Sequence, residues 1–387
     1  MNIGIITDSY LPIVGGAEIH INKLSKFLHI AGYNVAIYTL NPGENEIEGI
    51  KVIRNPRPEN YLKYRLWYFI PYLIKNIVHL YRFSKGKQIL HCHYTSYLTA
   101  ITGIFAKIRG IPVVVTLHGA GTLDSSTRRS IFGNGYRYVS FQLADYIIST
   151  SGEMAEIANQ YVTHNKITVI PNGVDAQEFI PVERKTDNEK LVVMTTRRLV
   201  PKNGVQYLIE SIPLIVHEIA AVEFIIIGTG PLEPYLKQRA KELDIEKYIR
   251  FIGKIENQDM KFYLANADIV VFPSSAESTS ISCLEAMAME KGVIASAVGA
   301  YPNILGNNDR GILVPLFDSQ TSTYNAPLML APEKTKLLAA AIIKFGQDKS
   351  LRDKLGKIAR DYVLTNYDWR YLTPQIIEIY QRIRKIK

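Results

Sequence analysis

The sequence predicts an α/β protein built from two doubly wound parallel sheets. Short, continuously apolar runs alternate with helical patterns along the chain, which is typical of parallel strands covered by helices on both faces. The alternation occurs in two series of similar length, and the polar stretch 175–190 marks the break between them. A length of 387 residues suits two or three domains, in agreement with two such series.

Each series supplies six predicted strands. The first-series strands are expected at 2–7, 34–40, 88–94, 112–118, 146–150 and 166–172. The second-series strands are expected at 191–198, 223–228, 249–253, 268–274, 292–296 and 311–314. The segment 366–387 follows a turn and predicts a basic terminal helix. The proline-containing segment 315–334 predicts a surface loop.

Composition excludes several classes of protein. Two cysteines exclude a disulfide scaffold and are compatible with a reducing compartment. We expect no signal peptide, and we find no stretch of 18 apolar residues and no Walker A motif. A net charge of +9 leaves three classes of partner open: nucleic acid, an anionic membrane or a phosphorylated small molecule.

Glycines after the first strand form the first candidate site. Gly15 and Gly16 would let the backbone approach a ligand, and the N-terminus of the following helix would attract phosphate. An ordinary strand-to-helix turn is the alternative. The pattern is not the dinucleotide fingerprint, and the segment 228–230 also lacks its third glycine.

Two glutamates eight residues apart form the second candidate site. Glu277 and Glu285 lie between a strand and a helix, near the carboxyl end of the second sheet, where open α/β sheets bind ligands. The backbone N–H groups of Ile281, Ser282 and Cys283 could receive a pyrophosphate. The alternative for Glu285 is a capping box with Ser282, which needs no ligand.

Basic residues and a histidine complete the candidates. Arg198 and Lys202 follow a strand and suit a diphosphate, although a solvated basic turn is the alternative. His118 ends a strand before glycines and could hydrogen-bond a sugar hydroxyl or phosphate, or it could be structural. We expect no metal at 91–93, because this His-Cys-His run lies inside an apolar strand without a second ligand cluster.

Taken together, these motifs resemble the retaining glycosyltransferases of family 4, which have the GT-B fold. The segment from Glu277 to Glu285 is similar to the family's E-x7-E signature, and 170–175 (IPNGVD) is similar to the start of its C-terminal lobe. The glycine loop, the basic turn and two later glycine segments occur in the family's order, and the resemblance covers the whole chain. These further matches are 12–18, the Arg198 region, 228–231 and 251–253.

The resemblance implies roles around the donor sugar and nucleoside. Glu277 would contact the donor sugar near the transferring carbon, and His118 would lie beside that sugar. Glu285 would hold the ribose hydroxyls. Ile255, just after Gly253, would lie near the base.

The resemblance also implies the residues that bind the diphosphate. Gly15 and Gly16 would approach the phosphates from the N-terminal lobe, and Arg198 with a nearby lysine would bind them. The family's lysine position is occupied by Asn203, so either Lys202 or Asn203 serves it. The helix N-terminus at Ile281 and Ser282 would add donor-binding N–H groups.

The implied architecture is two Rossmann-like domains facing across a cleft. We expect an acceptor-side domain at 1–172, a nucleotide-sugar donor domain at 173–365, and a final helix, about 366–387, packing back on the first domain. The chain contains no D-x-D motif, so we expect hexose transfer from a nucleotide-diphosphate sugar without a metal or other cofactor. A front-face path and a covalent intermediate both remain open.

The positive charge is concentrated in the N-terminal half. Residues 1–150 carry 16 basic and 8 acidic residues, and 366–387 carry 5 and 2, so these parts sum to +8 and +3. Within 54–88 lie eight basic and eight aromatic residues, a mixture that suits a membrane headgroup layer. The alternative is a solvated basic face.

We therefore expect a cytoplasmic protein that docks on an anionic membrane and takes a glycan or lipid-linked sugar as acceptor. Nucleic acid is not expected as a partner. Two other functions stay open: a sugar-nucleotide epimerase on the same fold, and a non-catalytic module that binds nucleic acid through the basic lobe.

Overall fold

The chain forms two compact α/β units, and this confirms the predicted fold class. The computed structural model describes residues 1–56, 69–118, 131–162, 164–182, 190–277, 279–317, 327–329 and 331–386. The first unit comprises Met1–Asn172 and Trp369–Lys387, and the second comprises Gly173–Asp368. The terminal helix therefore belongs to the first unit.

The strands of the two units are numbered in chain order. Those of the first unit are β1 (Asn2–Ile6), β2 (Asn34–Thr39), β3 (Glu46–Ile47), β4 (Ile50–Arg54), β5 (Ile89–His93), β6 (Val113–Leu117), β7 (Tyr146–Ser149) and β8 (Ile167–Val169). Those of the second are β9 (Leu191–Thr196), β10 (Val222–Ile227), β11 (Ile249–Gly253), β12 (Ile269–Phe272), β13 (Gly292–Ser296) and β14 (Ile312–Val314).

The helices are numbered in the same way. Those before the second unit are α1 (Gly16–Ile30), α2 (Phe69–Ser84), α3 (Tyr97–Arg109), α4 (Ile131–Leu143) and α5 (Gly152–Ala158). Those of the second unit are α6 (Val205–Glu218), α7 (Glu233–Glu242), α8 (Met260–Asn266), α9 (Ile281–Ala288), α10 (Tyr301–Leu305), α11 (Pro332–Gln347) and α12 (Lys349–Asn366). The terminal helix is α13 (Trp369–Ile386).

The sheet of the first unit has its strand order reversed at β1. The order is β3-β4-β2-β1-β5-β6-β7-β8, and every described pair is parallel except β3 with β4. Successive β1 residues face opposite sides, so Ile5 packs with α1 and α13, whereas Ile6 packs with α2 and α3. Trp369 and Tyr380 of α13 are fully buried in the first of these layers, which shows how the terminal helix is held.

The sheet of the second unit is parallel throughout, with the order β11-β10-β9-β12-β13-β14. The order reverses at β9, which pairs with β10 on one side and β12 on the other. Met194 of β9 packs toward α8, α9 and α12, and its neighbour Val193 packs toward α6, α7 and α11. Both faces of the sheet are therefore covered, as the continuous apolar strands indicate.

Two details differ from the sequence expectations. The short strands β3 and β4 were not expected, because their alternation of charged and apolar residues is too brief to distinguish from a loop. The segment 315–334 is not wholly a surface loop, since Leu316 is buried and residues from Pro332 onward begin α11. Its residues 318–326 and 330 lie outside the described part, as do residues 57–68 of the basic segment 54–88.

Across the part of the chain that the structure describes, we find no helix that combines the length and the apolar character required to cross a membrane.

Candidate active site

The second sheet brings most of the predicted donor-site residues to one edge. Because all of its strands are parallel, their carboxyl ends meet at the same edge. Arg197 and Arg198 follow β9, Gly228 follows β10, and Gly253 ends β11. Glu277 lies in the connection between β12 and α9. The loops that the sequence analysis selected are therefore neighbours.

Close backbone contacts join these loops. Arg197 N donates to Ile227 O over 2.9 Å, and Gly228 N donates to Gly253 O over 2.8 Å. Gly228 has a φ of +129°, and a Cβ atom there would lie 2.0 Å from Arg197 O. Only glycine fits this approach, so the ends of β9, β10 and β11 form one continuous surface.

Glu277 is held at both its side chain and its backbone. Its Oε2 lies 2.8 Å from Arg197 Nη1, and Tyr301 Oη donates to the same oxygen over 3.4 Å. Its carbonyl oxygen accepts from Ala300 N, and a Cβ on Gly299 would lie 1.8 Å from that oxygen. The side chains of Arg197 and Glu277 are only 11% and 15% exposed. The carboxylate is thus fixed before any ligand binds.

The residues predicted to bind the diphosphate differ in exposure and in their existing hydrogen bonds. Arg198 is exposed, and its backbone carbonyl accepts from Asn203 Nδ2 over 2.7 Å. Asn203 is buried, so its side chain holds the turn together instead of meeting a phosphate. Lys202 is partly exposed, and its carbonyl accepts from Ser275 N over 2.8 Å, which ties the basic turn to the loop after β12. Of the two candidates for the phosphate position, this geometry favours Lys202.

Helix α9 does not begin with the capping box that was the alternative for Glu285. Ser280, and not Ser282, is its N-cap, and Ser280 Oγ accepts from Cys283 N over 3.3 Å. The capping-box alternative is therefore wrong, because a cap requires non-helical backbone and Ser282 already lies inside the helix. Since Cys283 N is occupied, the helix-terminal N–H groups that remain for a ligand are those of Ile281 and Ser282.

Two further donor-site candidates differ in exposure. Glu285 is 4% exposed, inside the first turns of α9. Ile255 packs partly against the core and lines an open depression of about 600 Å³ together with Lys254, Glu256 and Phe262. Gly253, with a φ of +79°, turns the chain from β11 toward this depression. The depression is large enough to admit a planar base.

The glycine loop lies at the reversal point of the first sheet. Gly15 is the N-cap of α1, Gly16 is the first helical residue, and a Cβ on Gly15 would lie 2.6 Å from Glu18 Oε2. Ser9 Oγ donates to the other oxygen of Glu18. Arg54 donates hydrogen bonds to the carbonyls of Leu11, Asn41, Pro42 and Glu44. The bond to Leu11 ties the segment that precedes the glycines to the end of β4.

His118 belongs to a group of four buried histidines. His118 Nε2 lies 2.7 Å from His93 Nδ1, and the His93 ring stacks on His91 with 4.4 Å between centroids. His91 contacts Tyr380 Oη of α13 and Thr116 Oγ1, each at 2.6 Å. His20 lies edge-on to His118, with 4.7 Å between centroids. The histidine predicted to meet the donor sugar is thus linked to the terminal helix.

Burial keeps these histidines neutral. It lowers the pKa of His20 to about 4 and that of His91 to about 3. Burial, reinforced by neighbouring histidines, lowers the pKa of His93 and of His118 well below the usual value. A neutral imidazole donates one hydrogen bond and accepts one, which suits contact with uncharged sugar hydroxyls.

The histidine group also corrects one sequence expectation. We expected no further ligands near 91–93, but α1 and the end of β6 bring His20 and His118 to His93, with one ring nitrogen of each within 4.8 Å of the others. Such a trio could hold a metal ion. His93 Nδ1 and His118 Nε2 already share a hydrogen bond, so these two nitrogens would have to give it up to ligate an ion.

Sequence reasoning missed Arg197 and Tyr301. Both contact Glu277. Arg197 was overlooked because the phosphate role was assigned to its neighbour Arg198, and Tyr301 because it lies 24 residues further along the chain than Glu277. Side chains of successive residues in extended backbone point to opposite sides, so a pair of arginines after a strand should place one inward. That signal could have identified Arg197.

Comparison with known families assigns the chain to a class. The model described as "Glycosyltransferase Family 4" matches residues 14–178, and the model described as "Glycosyl transferases group 1" matches residues 176–362. The two models together span both units. They define a glycosyltransferase, built on two parallel-sheet α/β units.

Two relatives and a solved structure are similar over nearly the whole chain. An uncharacterized glycosyltransferase of Methanocaldococcus jannaschii is 27% identical, over 98% of each chain. The GPI3 subunit of phosphatidylinositol N-acetylglucosaminyltransferase of Saccharomyces cerevisiae is 25% identical, over 99% of this chain and 83% of that protein. HepE of Anabaena, solved with UDP and glucose, matches with a TM-score of 0.76 at 18% identity, over 99% of this chain and 100% of that one.

The chain belongs to family 4 of the glycosyltransferases and has the GT-B fold, as the sequence motifs indicated. Membership favours glycosyl transfer over the epimerase and the nucleic-acid module.

The neutral histidines predict an acid-sensitive first unit. Unfolded histidines titrate near 6.5, whereas His20 and His91 titrate near 4 and 3 in the folded state. The unfolded state therefore binds more protons, so this stabilisation is complete above about pH 6.5 and is lost as the pH falls toward 4. The slope reaches about 1.4 kcal/mol per pH unit for each buried histidine. Thermal unfolding between pH 7.5 and 5 measures it.

Substitution separates this effect from general acid sensitivity. His91→Gln removes one titrating group and should flatten the dependence of Tm on pH, whereas His217→Gln alters a side chain that is 84% exposed and should leave it unchanged. Equal slopes in all three proteins would contradict the assignment.

Proposed function

We propose that this glycosyltransferase moves a hexose from a nucleotide-diphosphate sugar to a glycan or lipid-linked sugar, with retention of anomeric configuration and without a metal. One observation carries the proposal: an immobilised carboxylate, Glu277, shares the edge of the second sheet with the exposed Arg198, with Lys202 and with the start of α9. Anionic and cationic groups of this kind suit, respectively, the sugar and the diphosphate of a donor.

The cations address the main electrostatic problem of the reaction. When the bond between the sugar and the diphosphate breaks, negative charge grows on the departing phosphate. Arg198, Lys202 and the N–H groups of Ile281 and Ser282 supply preorganised positive charge for it. The sequence has no D-x-D motif, which supports assigning this task to side chains and the helix terminus.

Glu277 addresses the sugar. A carboxylate accepts hydrogen bonds from sugar hydroxyls, and its negative charge favours the positive character that develops on the ring as the bond breaks. Two routes to retention, a front-face path and a covalent intermediate, both remain open for this proposal.

The donor is proposed as a nucleotide sugar whose base occupies the depression beside Ile255. HepE of Anabaena was solved with UDP and glucose, which supports this class of donor. A thermal-shift screen of UDP-, GDP- and ADP-sugars identifies the base, since a ligand that binds the folded state raises the apparent Tm.

Glu277→Gln should abolish transfer while the fold survives. The amide keeps the size of the side chain but removes the negative charge, so we expect a loss of about 10²-fold or more in kcat, comparable to removing one preorganised electrostatic group. The assay follows transfer from the donor found in the screen and includes an excess of EDTA. A protein that still folds but has lost kcat supports the assignment; its Tm should fall, because the change leaves the buried Arg197 without its ion-pair partner.

Two outcomes of this assay would count against the proposal. Activity of Glu277→Gln near that of the unmutated enzyme removes the role of Glu277. Loss of the unmutated enzyme's activity in EDTA, restored by a divalent cation, refutes transfer without a metal and redirects attention to His20, His93 and His118.

The acceptor is proposed to lie at a membrane, because the first unit carries an apolar surface with a basic border. On α2, Ile74, Val78 and Tyr81 are exposed at helical spacing, and on α3, Ile104 and Ile108 are exposed. The two helices meet where the Tyr81 and Phe105 rings lie 5.6 Å apart. We call these five exposed side chains the apolar surface.

The charge around the apolar surface favours anionic lipid. Lys75, Arg82, Lys107 and Arg109 belong to the same two helices, and the Arg109 guanidinium lies over the Tyr81 ring at 3.9 Å. The sequence contains no acidic residue between Glu59 and Asp124. Apolar side chains with a basic border bind the boundary between headgroups and acyl chains, and the basic residues add attraction to anionic lipid.

Vesicle sedimentation tests the membrane proposal. We expect binding to vesicles that contain phosphatidylglycerol, weaker binding in high salt, and little binding to pure phosphatidylcholine. Ile104→Asp with Ile108→Asp should reduce binding at least tenfold, because two charges replace apolar contacts in the lipid. Phe262→Asp, at a residue 61% exposed in the second unit, is the matched control and should bind as the unmutated protein does.

Failure to bind phosphatidylglycerol vesicles at low salt would refute membrane binding. The proposed transfer from a nucleotide sugar would still stand. Equal binding by the Ile104/Ile108 variant and the control would place the contact elsewhere on the chain.

A further inference from the structure

The immediate surroundings of Glu277 form a closed hydrogen-bonded triad. Arg197 Nη1 lies 2.8 Å from Glu277 Oε2, Arg197 Nη2 donates to Tyr301 Oη, and Tyr301 Oη donates to Glu277 Oε2 over 3.4 Å. Each of the three groups therefore contacts the other two. A carboxylate in such a ring cannot rotate without breaking two contacts.

Aromatic rings hold the guanidinium of the triad in place. The Arg197 Cζ lies 5.0 Å from the centroid of Phe272, the last residue of β12, and 5.9 Å from that of Tyr301. Both rings are fully buried. Arg197 is thus fixed by the core of the second unit, and it transmits that rigidity to Glu277.

The triad also selects one oxygen of the carboxylate. Among the residues that the structure describes, Arg197 and Tyr301 both contact the Glu277 side chain at Oε2. A sugar hydroxyl that approaches Glu277 would therefore meet Oε1, while Oε2 remains bound to Arg197 and Tyr301. This arrangement gives the carboxylate a defined orientation, and the paired guanidinium offsets the cost of burying its charge.

Arg197 and Arg198 consequently have different tasks despite being neighbours. Arg198 is exposed, whereas the Arg197 side chain is 11% exposed and turned toward Glu277. A guanidinium can contact the carboxylate and the phenol at once because its nitrogens form a planar fork, which a lysine ammonium does not reproduce.

We propose that Arg197 and Tyr301 are positioning residues for the reaction, which lock the Glu277 carboxylate so that a single oxygen faces the donor sugar. This inference rests on the proposed function, since it assigns Glu277 to the donor sugar. It adds that the nucleoside diphosphate portion of the donor is bound independently of the triad.

The test separates sugar positioning from nucleotide binding. We compare Arg197→Gln, Arg197→Lys and Tyr301→Phe with the unmutated enzyme. For each, kcat and donor KM are measured with UDP-glucose or GDP-mannose, whichever supports transfer, the Kd is measured for UDP or GDP alone, and Tm is recorded.

We expect Arg197→Gln to lower kcat about 10²-fold, the loss that a displacement of about 1 Å at a reacting group produces. Arg197→Lys should recover part of this loss, because it restores the charge but not the fork. Tyr301→Phe keeps the ring and removes one hydrogen bond, so its loss should be smaller. The Kd for the free nucleoside diphosphate should stay within about twofold in all three variants, a split that a merely structural role does not produce.

Arg239→Gln is the matched control. Arg239 forms a partly buried ion pair with Glu210, at 2.6 Å, between α7 and α6 of the same unit. Its removal costs the unit an arginine–glutamate pair without touching Glu277. We expect a lowered Tm with kcat within twofold of the unmutated value.

Each result has a definite meaning. If Arg197→Gln retains kcat within twofold, the positioning role is wrong while the proposed function stands. If its kcat, its nucleoside diphosphate affinity and its Tm fall together, and Arg197→Lys and Tyr301→Phe do the same, Arg197 is only structural and the inference is overturned. If the unmutated protein neither binds nor transfers from any sugar nucleotide, the proposed function itself fails and the inference fails with it.

Discussion

Parallel pairing of β9 with β10 and β12 is the constraint on which the candidate site depends. It makes β9 the point where the strand order of the second sheet reverses, so the connections after β10 and β12 leave in opposite directions and open a space at the carboxyl end of β9. Arg197 and Arg198 occupy that position. The backbone hydrogen bonds from Arg197 to Ile227 and from Gly228 to Gly253 then fix the loops against one another.

The first unit also places a loop at the strand where its sheet order reverses, but a different set of residues lies there. Its sheet reverses at β1, and the glycine loop follows that strand. Here the neighbouring groups are Glu18, the bracing Arg54 and four neutral histidines, and not a set of exposed cations. The chemistry available near β1 is therefore hydrogen bonding to uncharged groups, whereas the chemistry available near β9 is suited to an anionic ligand.

The distribution of charge acquires a physical explanation from these contacts. In the second unit, Arg197 and Arg239 are paired with glutamates, and the exposed Arg198 and the partly exposed Lys202 lie near the end of β9. On α2 and α3, basic residues border apolar side chains with no acid in the same stretch of sequence. The net charge of +9 thus combines a few local charges in the second unit with the basic residues of α2 and α3, for which we proposed contact with anionic lipid.

Most of the fold could be predicted from the sequence, because continuous apolar strands and their two-series order report directly on parallel sheets. The motif residues were also placed on the right elements, since the carboxyl end of each strand is a local property. Long-range contacts were beyond that reasoning: the ring that joins Arg197, Tyr301 and Glu277, and the meeting of His20 with His118, depend on how elements pack. The alternative capping box at Ser282 is wrong for a local reason, because Ser280 is an equally good cap two residues earlier and occupies the N-cap position.

Amide hydrogen exchange, with and without UDP, GDP or ADP, tests the central claim most directly, namely that the carboxyl edge of the second sheet binds the donor. The account predicts slower exchange, with the nucleotide that binds, in 197–204, in 228–230 and at the first residues of α9, because those amides become covered or hydrogen-bonded. Protection confined to other parts of the chain, with these three segments unchanged, would contradict it.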